Sequence, residues 1–185
     1  WQRPLNALFQ SVTLRTAGYA TFDMGGLREG SAVMSILLML IGGSSGSTAG
    51  GLKTVTVGIL LLALRDGLRG RDQVVFRGRT IPGRKVLDAM TLTLTVVLLF
   101  LSASMLLSLI DQVPYVQAAF EVASAMGTVG VTMGITPDLT VPSALLVILL
   151  MFLGRVGILS FSIAFLTRGK ERNKITYPAA EVMVG

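Results

Sequence analysis

Cysteine and histidine are both absent from the 185 residues of this chain. Their absence excludes disulfide scaffolds, zinc sites built from Cys and His, thiol chemistry and the commonest general base of enzymes. Charge is also scarce, because Asp, Glu, Lys and Arg make up 14% of the residues, where soluble domains have about 25%. Hydrophobic residues reach 52% and the mean hydropathy is +0.72. The low charge indicates a chain solvated by a lipid bilayer.

The few charges are mostly basic, with a net charge of +6, and their positions favour membrane topology over nucleic-acid binding. Two clusters each follow directly on an apolar run: Arg65, Arg69, Arg71, Arg77, Arg79, Arg84 and Lys85, then Arg168, Lys170, Arg172 and Lys174. Membrane proteins concentrate Lys and Arg in cytoplasmic loops. The pattern predicts that residues 65–85 and the tail 168–185 are cytoplasmic, and no nucleic-acid partner is expected. Because the chain begins at Trp1 without an initiator Met, we expect it to be the C-terminal part of a longer protein.

Three apolar stretches are candidates for crossing the bilayer. Residues 86–110 are uninterrupted and would form a helix about 37 Å long, enough to cross with some tilt. The stretch 139–166 is interrupted by G-R-V-G at 154–157. The stretch 32–64 is broken at 42–53, and each half is too short to span alone. We therefore expect a single broken helix in the region 32–64.

Two shorter apolar segments, 4–13 and 114–126, each begin at a proline and have the length of a re-entrant half-helix. Each leads into a T-x-G strip, an outer loop and an apolar helix, so the order of elements repeats. Glycine permits backbone angles that aim carbonyl groups at a cation in place of its water shell. A surface turn is the alternative for a single strip, and the repetition favours a cation filter. The predicted filter residues are Thr16, Ala17, Gly18, Tyr19, Thr128, Val129, Gly130 and Val131.

The break in the helix reads G-G-S-S-G-S-T-A-G-G, with glycine at five of ten positions. A break at membrane depth frees backbone groups that need a protein partner or a wet pathway, so we interpret this segment as a gate. The predicted gate residues are Gly42, Gly43, Ser44, Ser45, Gly46, Ser47, Thr48, Ala49, Gly50, Gly51, Lys53 and Arg155.

Three alternatives compete with the gate, and a fourth competes with transport as the function. A phosphate-binding loop is rejected because Leu52 separates the last glycine from Lys53. An intramembrane serine hydrolase would use Ser45 in its G-x-S-G context, but it needs a histidine base that the chain lacks. A seam of small residues for helix packing stays open. So does a non-conducting scaffold or regulatory membrane subunit.

Isolated charges in apolar surroundings are the remaining candidates. An arginine inside a membrane span is costly, so Arg155 is expected to bind the free carbonyls of the glycine segment, with an ion pair to Glu121 as the alternative. Arg15 and Glu121 both adjoin the predicted filters and are candidates to pair with each other. Lys53 is expected either to reach the cytoplasmic face or to repel cations at the gate.

Four motifs are distributed along most of the chain: R-T-A-G-Y at 15–19, G-G-S-S-G-S-T-A-G-G-L-K at 42–53, S-A-M-G-T-V-G at 124–130 and G-R-V-G at 154–157. Together they resemble the Trk/Ktr/HKT superfamily of potassium transporters, most closely the bacterial Ktr membrane subunit. The resemblance implies an all-α integral membrane fold with four helix–pore loop–helix units around one pore, of which this chain supplies about two. Residues 3–66 would be the third unit without its first helix, 67–85 a basic cytoplasmic loop, 86–168 the fourth unit and 169–185 a cytoplasmic tail.

The same resemblance implies potassium uptake across the plasma membrane by a multi-pass protein that is not an enzyme. K+ would bind the backbone carbonyls of Thr16, Ala17, Gly18, Thr128, Val129 and Gly130, with Na+ as a candidate coupling ion and no covalently bound cofactor. The implied partners are a second copy of the chain, a cytosolic ring of nucleotide-binding regulatory subunits, and the bilayer. Both strips depart from the full T-V-G-Y-G of potassium channels, which implies fewer coordination layers and looser selectivity.

Overall fold

The computed structural model describes residues 2–44, 49–71 and 73–156. This part of the chain is mainly helical. The helices are α1 Gln2–Thr13, α2 Glu29–Leu40, α3 Thr54–Leu68, α4 Gly83–Asp111, α5 Tyr115–Gly127 and α6 Val141–Val156, with short 3-10 turns at Met24–Gly26 and Thr136–Asp138. The two half-helices expected at 4–13 and 114–126 are α1 and α5. Their prolines lie slightly differently, since Pro4 falls two residues into α1 and Pro114 is the N-cap of α5.

Helix α5 lies at the centre of the fold. It packs against α2, α4 and α6, and every residue from 118 to 127 is buried. The side chains in this stretch are mostly small, which allows three helices to approach one axis closely. The core divides into two clusters on opposite sides of α5, one around Met39 and Phe120 and one around Leu107 and Met126.

The stretch 32–64 forms two short helices in series, as its length predicted. The ends of the intervening segment are joined by a parallel bridge between Ile41 and Leu52. The N–H of Gly42 donates to the carbonyl of Leu52 at 2.8 Å, and the N–H of Leu52 donates to the carbonyl of Leu40 at 2.8 Å. Because the bridge is parallel, the chain leaves the segment in the direction in which it entered. Helices α2 and α3 therefore form one interrupted rod.

Helix α4 is the one helix in the described ranges that is long and apolar enough to cross a membrane. Its 29 residues extend about 44 Å. Leucines at 87, 94, 98, 101 and 109 remain exposed along it, which suits contact with lipid. Helices α2 and α6 are apolar but shorter.

The expectation of an all-α chain is wrong in the basic loop, where residues form a β-hairpin. Strand β1 Val74–Phe76 pairs antiparallel with β2 Arg79–Ile81. Arg77 and Gly78 form the two-residue turn with φ of 46° and 75°, the left-handed conformation that a tight hairpin requires. The signal was present in V-V-F-R-G-R-T-I, an apolar run and a β-branched run separated by X-Gly, and the density of arginine concealed it.

A buried carboxylate fastens this hairpin to α3. Asp66 has no exposed side-chain surface, and its oxygens accept the N–H of Val75 at 3.0 Å and Nε of Arg65 at 3.1 Å, with Nη1 of Arg71 at 3.5 Å. The N–H of Val75 is the main cause of a lowered pKa for Asp66, and the two guanidinium groups lower it further against the opposing effect of desolvation. The basic loop is therefore an ordered structure built around one acid.

Candidate functional site

Each T-x-G strip leaves the C-terminal end of a short helix with its threonine and its glycine in left-handed conformations. The φ angles are 70° at Thr16 and 76° at Gly18, and 54° at Thr128 and 93° at Gly130. A non-glycine residue adopts this conformation only at a cost, so the two threonines are held there by surrounding contacts.

One hydroxyl on each preceding helix bonds the strip beyond its threonine. Oγ1 of Thr13 accepts the N–H of Tyr19 at 2.8 Å and donates to the carbonyl of Tyr19 at 2.7 Å. Oγ of Ser124 accepts the N–H of Gly130 at 3.2 Å and of Val131 at 3.0 Å. Both hydroxyls are buried, so each strip is bonded on one side by the half-helix that precedes it.

The two strips lie side by side. A Cβ added at Gly18 would meet the carbonyl oxygen of Val129, with the carbonyl carbon at 3.4 Å and the Cα of Gly130 at 3.7 Å. The fold therefore brings together the two segments that the sequence analysis singled out, although they are more than a hundred residues apart in the chain.

The glycine segment meets the second strip at its base. The N–H of Gly50 donates to Oγ1 of Thr128 at 3.1 Å, and a Cβ at Gly50 would stand 2.7 Å from the carbonyl oxygen of Met126. Nζ of Lys53 donates to the carbonyl of Ala49 at 2.5 Å, so this lysine binds the segment's own backbone. The predicted gate residues Ser45, Gly46, Ser47 and Thr48 lie outside the described residues, as do Gly157 and the tail.

Several glycines are required by close backbone packing. A Cβ at Gly51, whose φ is 70°, would stand 2.7 Å from the carbonyl oxygen of Leu40, and one at Gly127 would stand 2.7 Å from that of Met39. A Cβ at Gly154 would stand 3.0 Å from the carbonyl carbon of Met126. The small-residue seam therefore explains part of the glycine surplus. It is compatible with a gate, since the seam is where the segment touches the strip.

The charged candidates do not pair as expected. Glu121 is buried, and its Oε1 accepts the hydroxyls of Thr132 and Thr136 rather than a guanidinium. Arg15 lies exposed beside the first strip, and Arg155 lies exposed in the last turn of α6. The ion pairs among the described residues are those of Asp66 with Arg65 and Arg71. The candidate pair of Glu121 with Arg15 and its alternative pair with Arg155 are therefore wrong, and two hydroxyls bond Glu121 instead.

Thr13 and Ser124 are site residues that the sequence analysis missed. A signal for them exists, because aligning the two half-helices gives F-Q-S-V-T at 9–13 and F-E-V-A-S at 120–124. The shared pattern F-[QE]-x-x-[ST] places a hydroxyl three residues after the polar residue, on the same helix face.

Comparison with known proteins is consistent with this geometry. The family model for TrkH, described as a cation transport protein, matches residues 2–174. The chain belongs to the TrkH family. Among relatives, the potassium/sodium uptake protein NtpJ of Enterococcus hirae is 42% identical over 189 residues, which cover 100% of this chain and 42% of that protein. The Ktr system potassium uptake protein B of Bacillus subtilis is 40% identical over 177 residues, covering 96% and 39%.

A solved structure shows the same fold. The potassium transporter TrkH of Vibrio parahaemolyticus matches with a TM-score of 0.67 and 25% identity, covering 86% of this chain and 36% of that one. The TrkH-like helical fold expected from the motifs is thus confirmed. This TrkH family chain spans about two fifths of the length of the curated relatives it matches.

Proposed function

We propose that this chain forms part of the pore of a plasma-membrane protein that takes up potassium, with the two T-x-G strips as half of its selectivity filter. The observation that carries the proposal is the paired geometry of the strips. Each has a left-handed threonine and a left-handed glycine, each is bonded from behind by a buried hydroxyl, and the two lie side by side. Carbonyls of Thr16, Ala17, Gly18, Thr128, Val129 and Gly130 would replace part of the hydration shell of K+.

The architecture proposed around this filter is a four-unit pore. Residues 3–66 would form the third unit without its first helix and 86–168 the fourth, joined by the cytoplasmic loop 67–85 and followed by the cytoplasmic tail 169–185. Support comes from the element order, because half-helix, strip, 3-10 turn and apolar helix occur twice among the described elements. Leu5, Leu8 and Val12 are each more than 60% exposed along one side of α1, whereas α5 is covered all round. The remaining units would cover that side.

The glycine segment 42–51 is proposed as the gate, with Lys53 and Arg155 at its edges. It interrupts the rod of α2 and α3, and its Gly50 touches the base of the second strip. Deleting 42–51 is expected to raise flux, and Arg155→Ala is expected to alter gating. A folded deletion variant with unchanged flux would refute the gate.

The partners proposed are a second copy of the protein and a cytosolic ring of nucleotide-binding subunits, with Na+ as a coupling ion. The hairpin β1–β2 offers an ordered basic surface for a cytosolic partner. The names of these relatives describe uptake and no reaction, which supports transport rather than catalysis.

Complementation tests this function directly. The intact protein should restore growth at low potassium in a bacterial strain that lacks its own potassium uptake. Gly18→Ser or Gly130→Ser should weaken the preference for K+ over Na+ in ion-uptake assays. A well-expressed protein that fails to rescue growth would favour the non-conducting scaffold, and unchanged selectivity in both variants would refute the filter assignment.

A further inference from the structure

Buried polar side chains on α1 and α5 join each half-helix to the loop that leaves its strip. On α5, Oε1 of Glu121 accepts the hydroxyls of Thr132 and Thr136, whose own oxygens are 2.8 Å apart. On α1, Nε2 of Gln10 donates to Sδ of Met24 at 3.2 Å. Met24 and Thr136 are each the first residue of the 3-10 turn after their strip. The same link therefore recurs at matching places in the two halves.

The two links differ in strength. Two hydroxyls bond one carboxyl oxygen of Glu121, and this residue is 5% exposed, so water competes little with them. A thioether sulfur is a weak acceptor, and Oε1 of Gln10 has no hydrogen-bond partner among the described residues. The second strip is thus bound firmly at its outer end and the first strip weakly.

We infer that Glu121 is a positioning residue for the filter, whose carboxylate fixes the outer end of the second strip by holding Thr132 and Thr136. The inference rests on the proposed function. Ser124 bonds the strip at Gly130 and Val131, and Glu121 bonds the chain directly after them. Together the two side chains clamp the strip from the same helix, one turn apart. The arrangement of carbonyls around the ion is what a filter uses to distinguish K+ from the smaller Na+.

The test compares uptake of K+ and Na+ by variants of the intact protein in liposomes. Since one hydrogen bond is worth roughly a factor of five in an equilibrium, removing two of them with Thr132→Val and Thr136→Val should lower the K+:Na+ uptake ratio at least about tenfold. Glu121→Ala should do the same, and Glu121→Gln should fall between. Combining Glu121→Ala with the two valine substitutions should not lower the uptake ratio further, because all three changes break the same link.

Two controls are matched to these changes. Thr91→Val removes an exposed hydroxyl of α4 that bonds only the carbonyl of Leu87 among the described residues, and it should leave the ratio unchanged. Gln10→Ala should lower the ratio less than twofold, since its link is weak. The inference is overturned if the double-valine variant keeps the wild-type ratio, or if Gln10→Ala lowers it as far as Glu121→Ala.

A second measurement separates this inference from the proposed function. Hydrogen exchange on the purified protein should become faster across residues 128–138 in Glu121→Ala and in the double-valine variant, and stay unchanged in Thr91→Val. Unchanged exchange in all three refutes the link whatever the protein transports. Faster exchange in the Glu121→Ala and double-valine variants, together with no K+ preference in the wild-type protein, would retain the link and refute the filter.

Discussion

Replacing Gly154 by alanine tests whether α6 and α5 touch backbone to backbone beneath the second strip. A Cβ at this position would meet the carbonyl oxygen of Met126, with its carbonyl carbon at 3.0 Å and its Cα at 3.2 Å. These are main-chain atoms within α5, so no rotation of a side chain relieves the contact. The helices must separate, and the segment 126–128 at the base of the strip must move with them.

The change in stability caused by Gly154→Ala follows from two opposing effects. Overpacking a close interface costs about 1–3 kcal/mol, and the rigid neighbours place this contact toward the upper end. Alanine in a helix interior gains about 1 kcal/mol over glycine. Gly58→Ala in α3 isolates the second effect, because a Cβ there would have nothing within 4 Å. The difference between the two variants is therefore the overpacking cost alone.

Thermal denaturation of the intact protein in one lipid-detergent mixture measures that difference. At about 2 °C per kcal/mol for a protein of more than 150 residues, Gly154→Ala should melt roughly 2–6 °C below Gly58→Ala. Gly58→Ala should melt at or slightly above the wild-type temperature. Equal melting temperatures for the two alanine variants would refute the close approach of α6 to Met126, and with it the seam.

Three further changes are predicted to have unequal or pH-dependent effects. Gly18→Ala should reduce potassium uptake more than Gly130→Ala. Both glycines have a left-handed φ, but a Cβ at Gly18 would also meet the carbonyl of Val129, whereas a Cβ at Gly130 would have open space. Equal losses in uptake assays would contradict this prediction. Gly78→Ala should loosen the hairpin, since a left-handed alanine costs about 1–2 kcal/mol. Trypsin should therefore cut the loop faster in Gly78→Ala than in the control variant Gly67→Ala. The pKa of Asp66 is lower in the folded protein than the value of about 3.9 in the unfolded chain. The contribution of Asp66 to the stability of the hairpin is therefore complete above about pH 3.9, and it is lost as the pH falls through the lower folded-state pKa. Proteolysis of the hairpin should therefore rise at acid pH in the wild type, and Asp66→Asn should show fast cleavage at neutral pH already.

The helices and the strips were predictable because their signals are local. Apolar length set α4, and the break at 42–53 divided α2 from α3. Glycine after a short helix located the two strips. The hairpin was also encoded locally, in a two-residue turn ending in glycine, but its arginines were read only as a topology signal.

The links between distant segments were not predictable in the same way. That Gly50 reaches Thr128, or that Gly154 lies against Met126, depends on how three helices pack around α5, and composition carries no information on such contacts. Glu121 shows the difficulty most clearly. Charge alone suggested an arginine partner, whereas the fold offered two hydroxyls at the same end of α5, and these satisfy a buried carboxylate without bringing in a second charge.

The contact between Gly50 and Thr128 joins the proposed gate to the proposed filter. Thr128 is at once the C-cap of α5, the first residue of the second strip and the acceptor for the N–H of Gly50. Its φ of 54° is unfavourable for a threonine, so part of the energy that keeps it there comes from the segment packed against it. A movement of the glycine segment away from the strip breaks this hydrogen bond and removes that support. In this fold a movement of the proposed gate at Gly50 would therefore alter the residue on which the second strip begins.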